Sequence, residues 1–316
     1  MIAVVIPCYR VKHQILNVFS RIGPEVSTII VVDDFCPEQS GSHVKQHCLD
    51  SRVEILYHQK NKGVGGAMIT GLLRAKELNT TVVVKIDGDG QMDPALISDF
   101  VGPILEGLAD YTKGNRFYDL RSLESMPRIR LFGNTGLSFL AKVATGYWGM
   151  MDPTNGYLAI HRSALALIPV ERLANDYFFE TDLLFRLNTY RAVLREIPMK
   201  AHYGDEKSNL NIRRVLIQFP VKYLKCFLKR LFYTYVLRDF NLATLEGLLG
   251  IPLLLFGASF GAIHWYVSAQ TGIVASVGTV MTAALPIIIG FQMLLAALSY
   301  DVGNVPKQPL QKLSSR

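Results

Sequence analysis

Residues 82–94, VVVKIDGDGQMDP, constrain this chain more than any other stretch. A β-branched apolar run feeds directly into two carboxylates separated by one glycine, followed by Gln91 and Asp93-Pro94. Such a run reads as a buried strand that ends at a polar edge. Open parallel α/β sheets bind their ligands outside the carboxyl ends of the strands. Asp87 and Asp89 therefore stand where a ligand is expected. Carboxylates this close repel each other unless a cation or protons lie between them. A hard divalent cation, Mg²⁺ or Mn²⁺, suits the pair and usually brings phosphate oxygens with it. An Asp-Gly turn capped by its own side chains is the structural alternative.

The residues before this stretch predict the sheet it belongs to. Apolar runs at 2–7 (IAVVIP) and 28–32 (TIIVV) and an alternating run at 53–57 (VEILY) read as strands. Helices are predicted at 11–22, 42–49 and 68–78, with Gly23-Pro24 breaking the first. The alternation predicts a doubly wound, mostly parallel α/β sheet. Residues 61–67, NKGVGGA, read as a glycine-rich loop before a helix. No Gly-Lys-Ser/Thr follows it and no third glycine completes a dinucleotide fingerprint. Its backbone must come close to something. A ligand anion at a helix N-terminus and tight helix–strand packing both meet that need.

The four cysteines, Cys8, Cys36, Cys48 and Cys226, have no CxxC spacing, and Cys8 and Cys36, near strand ends, read as reduced packing residues of a cytosolic domain. His43, His47 and Cys48 read as a solvated helix face rather than a metal set.

Four segments in order, IPCY at 6–9, VVDD at 31–34, NKGVGGA at 61–67 and DGDGQ at 87–91, together resemble an inverting family 2 glycosyltransferase with a GT-A fold. Among such enzymes the chain is similar to dolichyl- and polyprenyl-phosphate sugar synthases, over about residues 1–200. The resemblance implies that Pro7, Tyr9 and Asp34 hold base and ribose, with Lys62, Gly63 and Gly88 also at the nucleotide sugar. It makes Asp87 and Asp89 the DxD pair on the metal, and Gln91 a positioning residue for sugar or phosphate. Such synthases often carry an acidic residue two places after the tyrosine, where this chain has Val11.

Further along, YTKGNRF at 111–117 resembles a strand that turns Arg116 to the site. Arg128 and Arg130 precede a predicted helix and match arginines that meet the acceptor phosphate. DPTNGY at 152–157 resembles the acceptor-side turn, and ETDLL at 180–184 an acidic helix start or simply a cap. Residues 195–199 predict a late strand. The polar loop after it, 201–210, offers Lys207 to the diphosphate and Ser208 to the acceptor, whereas Tyr203, Asp205 and Glu206 depart from the pattern.

Half of the chain is hydrophobic, an excess concentrated after Leu242, and its formal charge is +7. From 211 to 239 basic residues (Arg213, Arg214, Lys222, Lys225, Lys229, Arg230, Arg238) alternate with apolar ones, a pattern that lies on anionic lipid. Nucleic acid is the competing partner for such charge, but apolar runs at 248–267 and 273–298 follow at once. Each is about long enough to cross a bilayer. Flanking basic residues put both ends, and the catalytic domain, in the cytoplasm. Two buried core helices are the alternative. The expected division is a catalytic domain at 1–210, juxtamembrane helices at 211–241, a transmembrane hairpin at 242–300 and a tail at 301–316.

The expected reaction moves a sugar from a nucleotide sugar to a polyprenyl phosphate with inversion. A hydroxyl acceptor on a lipid-linked or surface glycan, with Asp152 as general base, is the second reading. A silent membrane-interaction protein is the third, and the intact Asp87-Gly88-Asp89 argues against it. Two spans form no polymer channel unless a homo-oligomer supplies one.

Overall fold

The structure is a computed structural model that describes residues 1–118, 128–200 and 212–313, with the side chains at 128–134 and 212–217 outside the description. Its sheet has seven strands in the order β3-β2-β1-β4-β6-β5-β7. These are β1 (Ile2–Cys8), β2 (Thr28–Asp33), β3 (Val53–Tyr57), β4 (Val82–Lys85), β5 (Tyr111–Asn115), β6 (Leu158–His161) and β7 (Leu194–Pro198). The first four are parallel to one another. Only β6 is reversed, running against both β4 and β5, while β5 and β7 are parallel. The mostly parallel sheet is as expected. The reversed strand is not foreseen, because four residues directly after a turn are too few to show a period.

The helices are α1 (Ile15–Ser20), α2 (Ser40–His47), α3 (Gly63–Glu77), α4 (Ile97–Leu105), α5 (Arg128–Thr145), α6 (Arg162–Leu167), α7 (Phe179–Thr189), α8 (Ile212–Leu231), α9 (Leu242–Thr271), α10 (Val277–Gly303) and α11 (Leu310–Leu313). Helices cover both faces of the parallel strands, which is why Ile2 to Ile6 and Ile29 to Val32 are buried without alternation. A Cβ at Gly71 would lie 2.2 Å from Val5 Cγ1, so that glycine lets α3 settle on the sheet.

Two local expectations need correction. The helix predicted over 11–22 is confined to α1, after a turn. The glycine-rich stretch is not a loop before its helix, because α3 begins at Gly63 and includes Gly65 and Gly66. A Cβ at Gly65 would lie 2.1 Å from the Ala174 carbonyl oxygen, and the Gly66 N–H donates to Asn175 O at 3.1 Å. The backbone does come close to something, and it is the segment leading into α7.

The chain divides into two compact units, Met1–Leu228 with Pro306–Arg316, and Lys229–Val305. The first unit reaches past residue 210 because Phe219, Tyr223 and Cys226 of α8 pack with Phe178, Phe185, Ala141 and Ala144. It also takes in the tail. The buried Asp110 carboxylate accepts the N–H of Val193 (2.8 Å), Leu310 (3.0 Å) and Gln311 (3.4 Å).

In the second unit, α9 and α10 are two helices long and apolar enough to cross a membrane. The Asn241 side chain accepts from Ala243 N and Thr244 reciprocates, a capping box that starts α9. Gly272, at φ +69°, ends it. Cβ atoms at Gly250 or Gly290 would lie 3.0 and 2.7 Å from each other's carbonyl oxygens, so small residues bring the helices together. The basic stretch is less uniformly lipid-facing than its pattern suggests. Arg230 is buried and forks onto Asp301 at 2.6 and 2.9 Å. In the first unit Lys222 pairs with Asp176 at 2.5 Å.

Candidate active site

β4 delivers Ile86 and then Asp87 to the carboxyl edge of the sheet, next to the ends of β1 and β2. The Asp87 side chain is 31% exposed. Asp89 turns back through its Oδ1, which accepts the Gln91 N–H at 3.0 Å. Gly90 has φ +80°, a left-handed residue that lets this turn close. Gly88 is buried, and a Cβ there would lie 3.1 Å from Val11 Cγ2. The apolar Val11 thus seats the floor of the loop.

The strand also carries a cation that the sequence reading passed over. Lys85, buried on β4, donates to Asp87 Oδ1 at 2.9 Å and to Glu180 Oε1 at 3.4 Å. Burial pulls its pKa down, but Asp87 and Glu180 more than offset this and hold it above the ordinary lysine value. The visible signal was a lysine in an otherwise apolar strand, two residues from a carboxylate and so on the same face. Glu180 is therefore no helix cap. Asp182 is none either: it accepts the Ala174 N–H at 3.0 Å and pairs with Arg186.

Of the residues expected to meet a nucleotide, Tyr9 and Lys62 are exposed and Pro7 is half-buried. Asp34 is different. It is buried, and its carboxylate takes the N–H groups of Lys62 and Gly63, both at 2.8 Å, and His58 Nδ1 at 2.7 Å. The anion at the N-terminus of α3 is thus one of the chain's own side chains. His58 Nε2 continues the network to Thr70 Oγ1 at 2.8 Å. Tyr177, half-exposed, has its pKa raised by burial and then by the charges of Asp87, Glu180 and Tyr9.

The turn at 152–157 is held by buried and half-buried charged partners. Asp152 has no exposed surface, and Arg116 forks onto it, Nε to Oδ2 at 2.7 Å and Nη2 to Oδ1 at 2.9 Å. Glu196 on β7 accepts the N–H groups of Met151 (2.8 Å) and Asp152 (2.9 Å), and burial raises its pKa. Buried Lys113 donates to the Asn155 carbonyl, and its pKa is lowered to about 8, chiefly by burial. Gly156 lies against the end of β4. A Cβ there would lie 2.5 Å from Lys85 Nζ and 2.9 Å from Asp87 Oδ2. Sequence reasoning named Arg116 and Asp152 separately, and the structure makes them one unit. Arg128 and Arg130 open α5, but their side chains fall outside the description, and Lys207 and Ser208 lie outside the described residues.

Among the described residues no three metal-binding side chains cluster. Two carboxylates at an open strand end still fit a hard divalent cation that keeps waters and takes phosphate oxygens. The mostly parallel sheet with one reversed strand and an Asp-Gly-Asp at its carboxyl edge is the architecture expected of the GT-A fold that the sequence resembles.

Comparison with known proteins names the family. Residues 3–168 match the model of glycosyl transferase family 2. A UDP-N-acetylglucosamine–dolichyl-phosphate N-acetylglucosaminyltransferase of Methanococcus voltae is 30% identical over 243 residues, covering 72% of this chain and 96% of that protein. Polyprenol monophosphomannose synthase of Mycolicibacterium smegmatis is 28% identical over 229 residues, covering 68% and 84%. Glucosyl-3-phosphoglycerate synthase from Mycobacterium tuberculosis, solved with Mn²⁺ and UDP-glucose, superposes with a TM-score of 0.52 at 20% identity, over 72% of this chain and 78% of that one. The chain belongs to glycosyl transferase family 2 and is a glycosyltransferase.

Proposed function

We propose that this enzyme transfers a sugar from a nucleotide sugar to a polyprenyl phosphate, with inversion, at the cytoplasmic face of a membrane. The observation that carries the choice of acceptor is the Arg116–Asp152 fork. A carboxylate with no exposed surface, both of whose oxygens are taken by an arginine, has no free oxygen to offer an acceptor hydroxyl. A hydroxyl acceptor needs a general base, typically worth about 10²–10⁴-fold. A phosphate monoester, with a second pKa of about 6, arrives already charged. The named substrates of the relatives, dolichyl phosphate and a polyprenol monophosphate, support the same choice.

Asp87 and Asp89 would hold Mg²⁺ or Mn²⁺, which supplies charge stabilisation for the leaving diphosphate. Tyr9, Pro7 and Lys62 would line the nucleotide side, with Gly63 and Gly88 as its backbone and Gln91 near sugar or phosphate. Asp34 would act through the loop it organises. Arg116 orients the acceptor side through Asp152, and Arg128, Arg130, Lys207 and Ser208 are proposed for the acceptor phosphate and the diphosphate.

The apolar helices α9 and α10 would anchor the enzyme as a hairpin. The residues after α10 rejoin the catalytic unit through Leu310 and Gln311, which supports entry and exit on one side.

The test incubates full-length enzyme in membranes with labelled UDP- and GDP-sugars and a polyprenyl phosphate. Label should enter the lipid extract and be released by mild acid, as a sugar–phosphate linkage is. An acid-stable lipid product would overturn the phosphate acceptor.

A further inference from the structure

We propose that Lys85, tethered by Glu180, is a built-in counter-cation of Asp87 that keeps a divalent metal off the empty site and admits it only together with the donor's diphosphate. The inference rests on the metal reading of Asp87 and Asp89 given above.

Three observations support it. The Lys85 ammonium touches Asp87 Oδ1 at 2.9 Å with its side chain only 2% exposed, so the charge is fixed rather than solvated. Glu180 holds the same ammonium from the far side at 3.4 Å, which keeps it from swinging away. Gly156 packs against the pair, since a Cβ there would fall 2.5 Å from Lys85 Nζ and 2.9 Å from Asp87 Oδ2, which leaves the ammonium no room to move toward the 152–157 turn. One oxygen of Asp87 is thus paired with a buried ammonium, while the side chain as a whole stays 31% exposed and open to a ligand.

A divalent cation approaching Asp87 alone meets a buried positive charge a few ångströms behind its ligand. That repulsion is strong where water is scarce. A cation that arrives with a diphosphate brings its own compensating anion, and the repulsion is largely cancelled. Binding of metal and nucleotide is then positively coupled, and by linkage each tightens the other equally. After transfer, loss of the nucleotide would loosen the metal as well.

The test measures Mn²⁺ binding to the full chain in detergent, by the electron paramagnetic resonance of free Mn²⁺, with Mn²⁺ alone and with Mn²⁺ plus UDP or GDP. Wild type should bind Mn²⁺ alone weakly, and at least about tenfold more tightly with the matching nucleotide. Lys85→Met keeps the length and removes the charge. It should bind Mn²⁺ alone at least about tenfold more tightly than wild type and lose most of the nucleotide coupling. Glu180→Gln should move the other way, weakening Mn²⁺ alone, because Lys85 then faces Asp87 without a competitor. If Lys85→Met fails to fold, the double variant Lys85→Met/Glu180→Gln removes both buried charges and should still bind Mn²⁺ alone more tightly than wild type. Unchanged or weaker Mn²⁺ affinity in a folded Lys85→Met or double variant, with wild type still coupled to nucleotide, would overturn the inference and leave the metal reading standing. No Mn²⁺ bound by wild type with either nucleotide would overturn both.

Discussion

Asp110 and Leu310, 200 residues apart in the chain, are joined: the buried Asp110 carboxylate accepts the Leu310 backbone N–H at 3.0 Å. The Gln311 side chain adds bonds to the carbonyls of Ile104 and Ala109, both at 2.9 Å. The tail is part of the catalytic unit. Ending the chain at Val305 should leave Asp110 with the Val193 N–H as its remaining named donor and cost about 2–4 kcal/mol. Gln311→Ala should cost about 1–3 kcal/mol. Thermal unfolding in detergent checks both, and an unchanged Tm on truncation would contradict the account.

Asp152→Asn should lower kcat/KM by releasing Arg116, without altering the acid limb of the pH–rate profile. Were Asp152 a base, that limb would disappear with it. Arg116→Ala leaves a buried carboxylate unpaired and should cost stability of about 3–5 kcal/mol.

Asp89→Asn should abolish transfer while the fold survives, since the Gln91 N–H can still be accepted by the amide oxygen. Turnover is measured with Mg²⁺, with Mn²⁺ and with excess chelator. Full activity in chelator would remove the metal from the mechanism.

Lys113 gives a pH signature. Its folded pKa, about 8, lies below the unfolded value of 10.5. The unfolded chain therefore binds more protons between these values, so stability rises with pH across that window. The cost of burying the charge, about 3 kcal/mol, is fully present below pH 8. Relative to Lys113→Met, the wild type should gain stability from pH 8 to pH 10, read from urea midpoints. A difference independent of pH would show that the ammonium is not buried as described.

The basic residues near the apolar helices should separate into two kinds. Lys225 and Lys229 are exposed, and each change to alanine should weaken binding to anionic vesicles by about 1 kcal/mol, less so at high salt. Arg230→Ala should instead destabilise its unit by about 3–5 kcal/mol, because Asp301 and its partner Tyr235 are buried with it. Sedimentation with vesicles and thermal unfolding distinguish the two, and equal vesicle-binding losses at all three positions would contradict the division.

Much of this protein was readable from residue order alone. Strands covered on both faces must be unbroken apolar runs, so β1, β2 and β4 announced themselves, and each ended at polar residues that marked the site. Two apolar runs followed by a basic tail were equally plain, since hydropathy is a property of composition. Partners were not readable. Lys85 meets Glu180 across 95 residues and Arg116 meets Asp152 across 36. A side chain's charge tells what it can bind, but strand register and loop packing decide what lies within reach. For that reason the glycines of α3 could be recognised as demanding a close approach, while only the fold could supply the backbone at Ala174 and Asn175 that they approach. Asp34, read as a ligand contact, was drawn into the N-terminus of α3 for the same reason. Its carboxylate accepts the Lys62 and Gly63 N–H groups, a contact across the fold that no spacing in the sequence shows.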